Sequence, residues 1–148
     1  MPLKLDGKQS NQRLGTRVIL VRHGQSTYNL LGLYQGSSDE SVLTQQGRHA
    51  ARLTGAFLSG LSFDAIYISS LQRAQETASE MLAVIAPAVD ETKIHIVKAL
   101  RETDLPAWEG LPFQFVQEQF AADYRCWKQR PHEFQMEILQ RRGQGGQG

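Results

Sequence analysis

Arg22, His23, Arg73 and Glu102 are the side chains in this chain whose types and spacing suit chemistry on an anion. The run Val18-Ile-Leu-Val21 ends abruptly in Arg22-His23-Gly24. Placing a cation and an imidazole directly after a buried apolar run is costly unless something anionic binds there. A neutral imidazole offers a free lone pair, and its ordinary pKa is about 6.5. Arg22 and Arg73, from separate stretches, can grip a phosphoryl group through paired hydrogen bonds, which lysines do less well. His23 can then attack phosphorus in line and become a phosphohistidine. The departing alkoxide needs a proton, and Glu102 can supply it where burial and phosphate charge raise its pKa. Each residue also has a plainer reading. Arg22-His23 could be the polar start of a loop, Arg73 a surface cation, and Glu102 an ion-pair partner of Arg101 or a solvated acid.

Competing chemistries find less support. No Gly-x-x-x-x-Gly-Lys-Ser/Thr loop is present for a nucleoside triphosphate, and no paired aspartates suggest a magnesium-dependent phosphatase. Cys126 lacks a downstream glycine-rich loop that would make it a phosphate-transferring nucleophile. His49 falls on a charged helix face, His95 alternates with Ile94 and Ile96 on a strand, and His132 follows Pro131 in a loop. No pair of histidines has metal-ligand spacing, so neither a metal nor another cofactor is expected.

Alternating elements must position these groups. Val18–Val21, Asp64–Ile68 and Lys93–Val97 read as short strands. Ser26 to Leu33 begins a helix or structured loop, and residues 35–41 form a loop by composition. Thr44 caps a helix reaching Leu58, with Ala50, Leu53, Phe57 and Leu58 on its apolar face, and Gly60 ends it. Gly47 weakens the first turn of that helix. Ser69 and Ser70 cap a second helix in which Leu71, Ala74, Ala78, Met81, Leu82 and Ile85 recur, and Pro87 stops the pattern. Phe113–Phe120 and Asp123–Gln129 read as short helices, with Phe120 and Trp127 packing inward. Strands alternating with helices imply right-handed βαβ units and a parallel sheet. Ligands of such sheets sit at the strands' carboxyl ends. There the first strand delivers Arg22 and His23, the second Ser69, Ser70 and Arg73, and the third Arg101 and Glu102. Arg73 lies in the first turn of its helix, where the dipole disfavours a cation, and sharing a bound dianion with the helix amides would explain the placement.

With 148 residues, 41% of them hydrophobic, the chain suits one domain, set between a flexible leader at 1–16 and a disordered Gly/Gln tail at 141–148. A net charge of +1 gives no broad pull toward nucleic acid or a membrane. The single cysteine, Cys126, excludes an internal disulfide and fits a reducing compartment. Met81–Val89 is too short to span a bilayer, and residues 1–16 lack the apolar segment of a signal peptide, so a cytoplasmic location is expected.

The ordered stretches resemble the histidine phosphatase superfamily, also called phosphoglycerate mutase-like. They are Val21-Arg-His-Gly-Gln-Ser-Thr-Tyr-Asn29, Gln35-Gly36 through Asp39 with Leu43-Thr44 and Gly47, Ser69–Ala78, and Leu100–Gly110. The resemblance covers roughly residues 17–130. It implies a three-layer α/β/α fold with a mainly parallel sheet. It makes His23 the phosphorylated nucleophile, Arg22 and Arg73 phosphate ligands, and Glu102 the proton donor. It adds substrate or phosphate contacts from Ser26, Asn29, Gln35 and Gly36. Ser70 and Pro106-Ala107 depart from common family residues. No His-Gly follows Glu102, so the family's second histidine has no counterpart, and the domain at 17–140 is expected to be partial, incomplete at its C-terminal end. The expected activity is phosphomonoester hydrolysis of a small phosphorylated metabolite, weak or absent unless a partner completes the fold; oligomeric state stays open. Phosphoglycerate mutase-type transfer is the alternative, disfavoured because no extra basic loop is present. A phospho-ligand-binding remnant with impaired catalysis is a second alternative.

Overall fold

A computed structural model of the chain describes residues 15–136; the expected tail at 141–148 and all but the end of the expected leader lie outside them. Seven helices and strands follow in order: α1 (Thr27–Leu31), α2 (Gln45–Leu58), β1 (Ile66–Ser69), α3 (Gln72–Leu82), β2 (Ile94–Val97), α4 (Phe113–Gln119) and α5 (Ala121–Gln129). Single 3₁₀ turns flank β2 at Glu91–Lys93 and Lys98–Leu100. β1 and β2 are parallel, with Ile66 opposite Ile94 and Ser69 opposite Val97. Their carboxyl ends therefore share one rim, as a βαβ unit requires.

The first expected strand is not formed among the described residues. Exposure along Val18, Ile19, Leu20 and Val21 runs 69%, 43%, 90% and 45%, the two-residue period of a strand. No neighbouring backbone pairs with these residues, and a period-two pattern without a ladder partner is not a strand.

α2 packs along α3 through small residues, and this corrects the expected apolar face. Gly47, Ala51, Gly55 and Leu58 are the buried positions, whereas Leu53 and Phe57 are 60% and 62% exposed. A side chain at Gly55 would collide with the Met81 carbonyl, so the helices meet backbone to backbone. Ala51, Leu58, Met81 and Ile85 form the core beneath them. Thr44 caps α2 as expected, its side chain accepting from the Gly47 amide at 3.0 Å. Gly60, at φ +85°, lies one residue past the C-cap Ser59.

A second core gathers Tyr34, Leu105, Trp108 and Val116. Phe120 and Trp127 pack against it, the Trp127 ring edge-on to Trp108 at 5.6 Å between centroids. This cluster braces α4, α5 and residues 105–111 against the loop that begins at Tyr34. No helix among the described residues is long and apolar enough to cross a membrane.

Candidate active site

His23 sits on a turn pinned to both helices. The Gly24 amide donates to Thr77 Oγ1 at 3.0 Å, and the Thr77 hydroxyl donates to the Arg73 carbonyl at 2.7 Å. On the other side a Cβ at Gly24 would meet the Gly47 carbonyl, and one at Gly47 would strike the Gln25 carbonyl. Both glycines are therefore required by close backbone approach, not by loop flexibility. Gly47, which weakens a helix by propensity, is what lets α2 reach this turn.

The imidazole is half-buried, and Nδ1 donates to the Gly24 carbonyl at 2.7 Å. That bond selects the tautomer whose Nε2 carries the lone pair. Burial lowers the His23 pKa from its ordinary value, the Gly24 bond opposes this, the Arg73 and Arg22 charges lower it further, and Glu102 pulls it back up. Of the three charged groups, Arg22 lines the clefts at His23, whereas Arg73 and Glu102 line neither.

Arg73 is only 1% exposed. Its two terminal nitrogens donate to the Ser38 and Gly36 carbonyls, each at 2.9 Å. Nε has no hydrogen-bond partner. A buried donor left unmade costs about 1–3 kcal/mol. Burial also lowers the guanidinium pKa, and the Glu102 and Asp39 charges counter part of that.

The expected caps of α3 are corrected. Leu71 is the N-cap and supplies no side-chain bond, while Ser69 Oγ accepts only from the Leu71 amide at 3.3 Å. The cap arrives from another loop: Asp39 Oδ1 accepts from the Gln72 amide at 2.8 Å. Asp39 Oδ2 in turn pairs with Arg101 at 3.2 Å. The Gln72 amide and Arg101 hold the Asp39 carboxyl below the usual carboxylate range despite some burial.

Because Arg101 is engaged by Asp39, the plainer reading of Glu102 as its ion-pair partner does not hold. Glu102 is exposed, accepts from the Thr103 amide at 2.9 Å, and forms no ion pair among the described residues. Arg22 is also exposed and lines an open cleft of about 380 Å³ with His23, Gln25 and Asn29.

Ser26, Asn29, Gln35 and Gly36 do not share one environment. Ser26 has no exposed surface; it caps α1 in a reciprocal box with Asn29, and its hydroxyl also reaches Gln35 Oε1. Ser41, equally buried, donates to the same Gln35 oxygen at 2.9 Å. Gly36 is buried at φ +51°, where a side chain would strike Glu109. Asn29 lines the cleft and Ser26 is buried behind it, whereas Gly36 is buried against Glu109 with its carbonyl taken by Arg73. The other histidines lie elsewhere. His49 is exposed, His95 stacks on Tyr67 at 5.2 Å, and His132 is 76% exposed beside Glu133. Sequence reasoning missed Thr77 and Asp39 as supports. Thr77 stands one helical turn after Arg73 and was legible; Asp39 acts across 33 residues and carried no local signal.

The family model of the histidine phosphatase superfamily (branch 1) matches residues 18–144, and the chain belongs to that superfamily. It is 39% identical over 118 residues to the probable 2-carboxy-D-arabinitol-1-phosphatase of Arabidopsis thaliana, covering 80% of this chain and 23% of the plant protein. It is 41% identical over 98 residues to a 2,3-bisphosphoglycerate-dependent phosphoglycerate mutase of Bartonella bacilliformis, covering 64% of this chain and 45% of that enzyme. The solved structure of Bacillus stearothermophilus YhfR superposes with a TM-score of 0.67 at 30% identity, over 78% of this chain and 55% of that one. The chain thus spans between about a quarter and about half of the length of these relatives.

Proposed function

We propose that the chain carries the phosphoryl-accepting half-site of a phosphomonoesterase that works through a phosphohistidine at His23. The observation that supports this reading is the buried Nε of Arg73, without a partner among the described residues, on the helical turn that Thr77 ties to Gly24 and so to His23, whose Nε2 lone pair is free. An anion at this place would satisfy the orphaned donor. Arg22, exposed in the cleft, would grip the same phosphoryl group. His23 Nε2 attacks phosphorus, the ester P–O bond breaks, and the leaving alkoxide takes a proton from Glu102. Water then attacks phosphorus, giving a proton to the Glu102 carboxylate, as the P–N bond breaks to restore the His23 imidazole and release inorganic phosphate. The ligand is a small phosphorylated metabolite, consistent with the phosphatases and mutases among its relatives.

A labelled aryl phosphate, quenched in alkali, tests the reading. An alkali-stable, acid-labile phosphoryl adduct on the unaltered chain and none on His23→Asn is the expected result. Binding of inorganic phosphate with no adduct would instead mark a binding remnant. The similarity to a mutase favours one further comparison, hydrolysis of the aryl phosphate against isomerisation of a phosphoglycerate. Hydrolysis is expected to dominate.

A further inference from the structure

Three successive carbonyls of the 36–39 loop are shared alternately by two guanidinium groups. Arg73 takes those of Gly36 and Ser38, and Arg101 takes that of Ser37 between them. Arg101 also donates to Ser70 Oγ at 3.2 Å and pairs with Asp39. Asp39 in turn holds the first amide of α3, the residue before Arg73.

From this we infer that Arg101 is a positioning residue for Arg73: it straps the 36–39 loop to the turn before α3 and so fixes the phosphate-binding guanidinium. The inference rests on the phosphatase reading above. Only the planar fork of arginine can serve Ser70, Ser37 and Asp39 together; an ammonium is a point charge on a flexible stem. Without Arg101, the Ser37 carbonyl loses its donor and Asp39 its counter-charge; Glu109, Asp104 and the Gln72 amide still hold the loop, but it presents Gly36 and Ser38 to Arg73 less firmly. The Arg101–Asp39 pair is partly exposed, with side chains 31% and 46% accessible. Such pairs contribute little to global stability. The strap therefore acts on local geometry, and its loss is read in the site and not in the melting temperature.

The test compares Arg101→Ala, Arg101→Lys, Asp39→Ala and the double variant in the full chain. Arg101→Ala is expected to raise KM for an aryl phosphate about tenfold, with a smaller change in kcat, because a displaced guanidinium binds the phosphoryl group poorly. Arg101→Lys should restore only part of the loss. The double variant should lose less than the sum of the two single losses, because both singles break the same Asp39–Arg101 pair, although Asp39→Ala also removes the α3 cap. Additive losses, full rescue by lysine, or an unchanged KM in Arg101→Ala would overturn the inference. A second measurement needs no turnover, namely the Arg73 Nε–H resonance in the phosphate-free protein. Its protection from exchange should collapse in Arg101→Ala while Tm stays near that of the unaltered chain; retained protection would refute the strap. If the unaltered chain shows neither turnover nor a shift of that resonance with inorganic phosphate, the phosphatase reading fails by itself, and the exchange measurement still decides the strap.

Discussion

Burial and two arginine charges lower the His23 pKa from 6.5, so the imidazole stays neutral into mildly acidic solution. The acid limb of kcat/KM, which reports the free enzyme, should therefore fall below pH 6.5, with the plateau above it. A limb above that value would place His23 in a different environment. The same shift has a stability consequence. The unfolded chain binds the proton more readily than the folded one, so this contribution is present above the unfolded pKa and is lost as pH falls through it. Glu102 is tested by the leaving group. Glu102→Gln should slow an alkyl phosphate by about 10²–10³-fold and an aryl phosphate, which departs without help, far less. Arg22 and His23 stand out in the sequence because a cation and an imidazole interrupt an apolar run, Arg73 because a cation is unfavourable in a first helical turn, and Glu102 only by its place after the third expected strand. The substrate contacts were less legible. Ser26 and Gly36 belong to the site motif, yet both are buried, Ser26 as the cap of α1 and Gly36 as an acceptor for Arg73.

Helix ends were easier to read than helix faces. Thr44 and Gly60 bracket α2 through local capping rules, whereas its buried stripe runs through Gly47, Ala51 and Gly55. Hydrophobicity pointed to Leu53 and Phe57 because it scores side chains and not the distance at which two backbones meet. Gly47→Ala should thus act opposite to its helix propensity. The added methyl strikes the Gln25 carbonyl, so the variant should melt lower than the parent and show weaker phosphate binding, with α2 and the His23 turn forced apart. Thr44→Ala removes the cap bond and the hydroxyl's bond to Gln25 Oε1 at 2.9 Å, and should cost about 1–2 kcal/mol in denaturant unfolding.

Among the described residues, the cluster beneath α2 and α3 and the cluster around Trp108 have no residue in common. Ile85→Val should cost about 0.5–1.5 kcal/mol and Leu105→Ala about 2–5 kcal/mol, and the double variant should lose their sum to within about 0.5 kcal/mol. A clear departure from additivity in urea unfolding would show that the two clusters are energetically one. The α/β class and the parallel pairing of β1 with β2 followed from periodicity. The first strand did not form because periodicity describes one segment, while a ladder needs two. Val18–Val21 keeps the pattern and has no ladder partner among the described residues.

The carboxylate of Asp39 closes the start of α3 from 33 residues upstream, so this helix contains no initiation signal of its own. Its first turn must wait for a long chain loop to shut, and the entropy of that closure is met only once the surrounding contacts exist. During refolding the Gln72 amide should gain protection later than the amides of Ala78–Leu82, which pulse-labelled hydrogen exchange would resolve. The order in which α3 solidifies is then inward from its far end, and the guanidinium at its beginning becomes competent last.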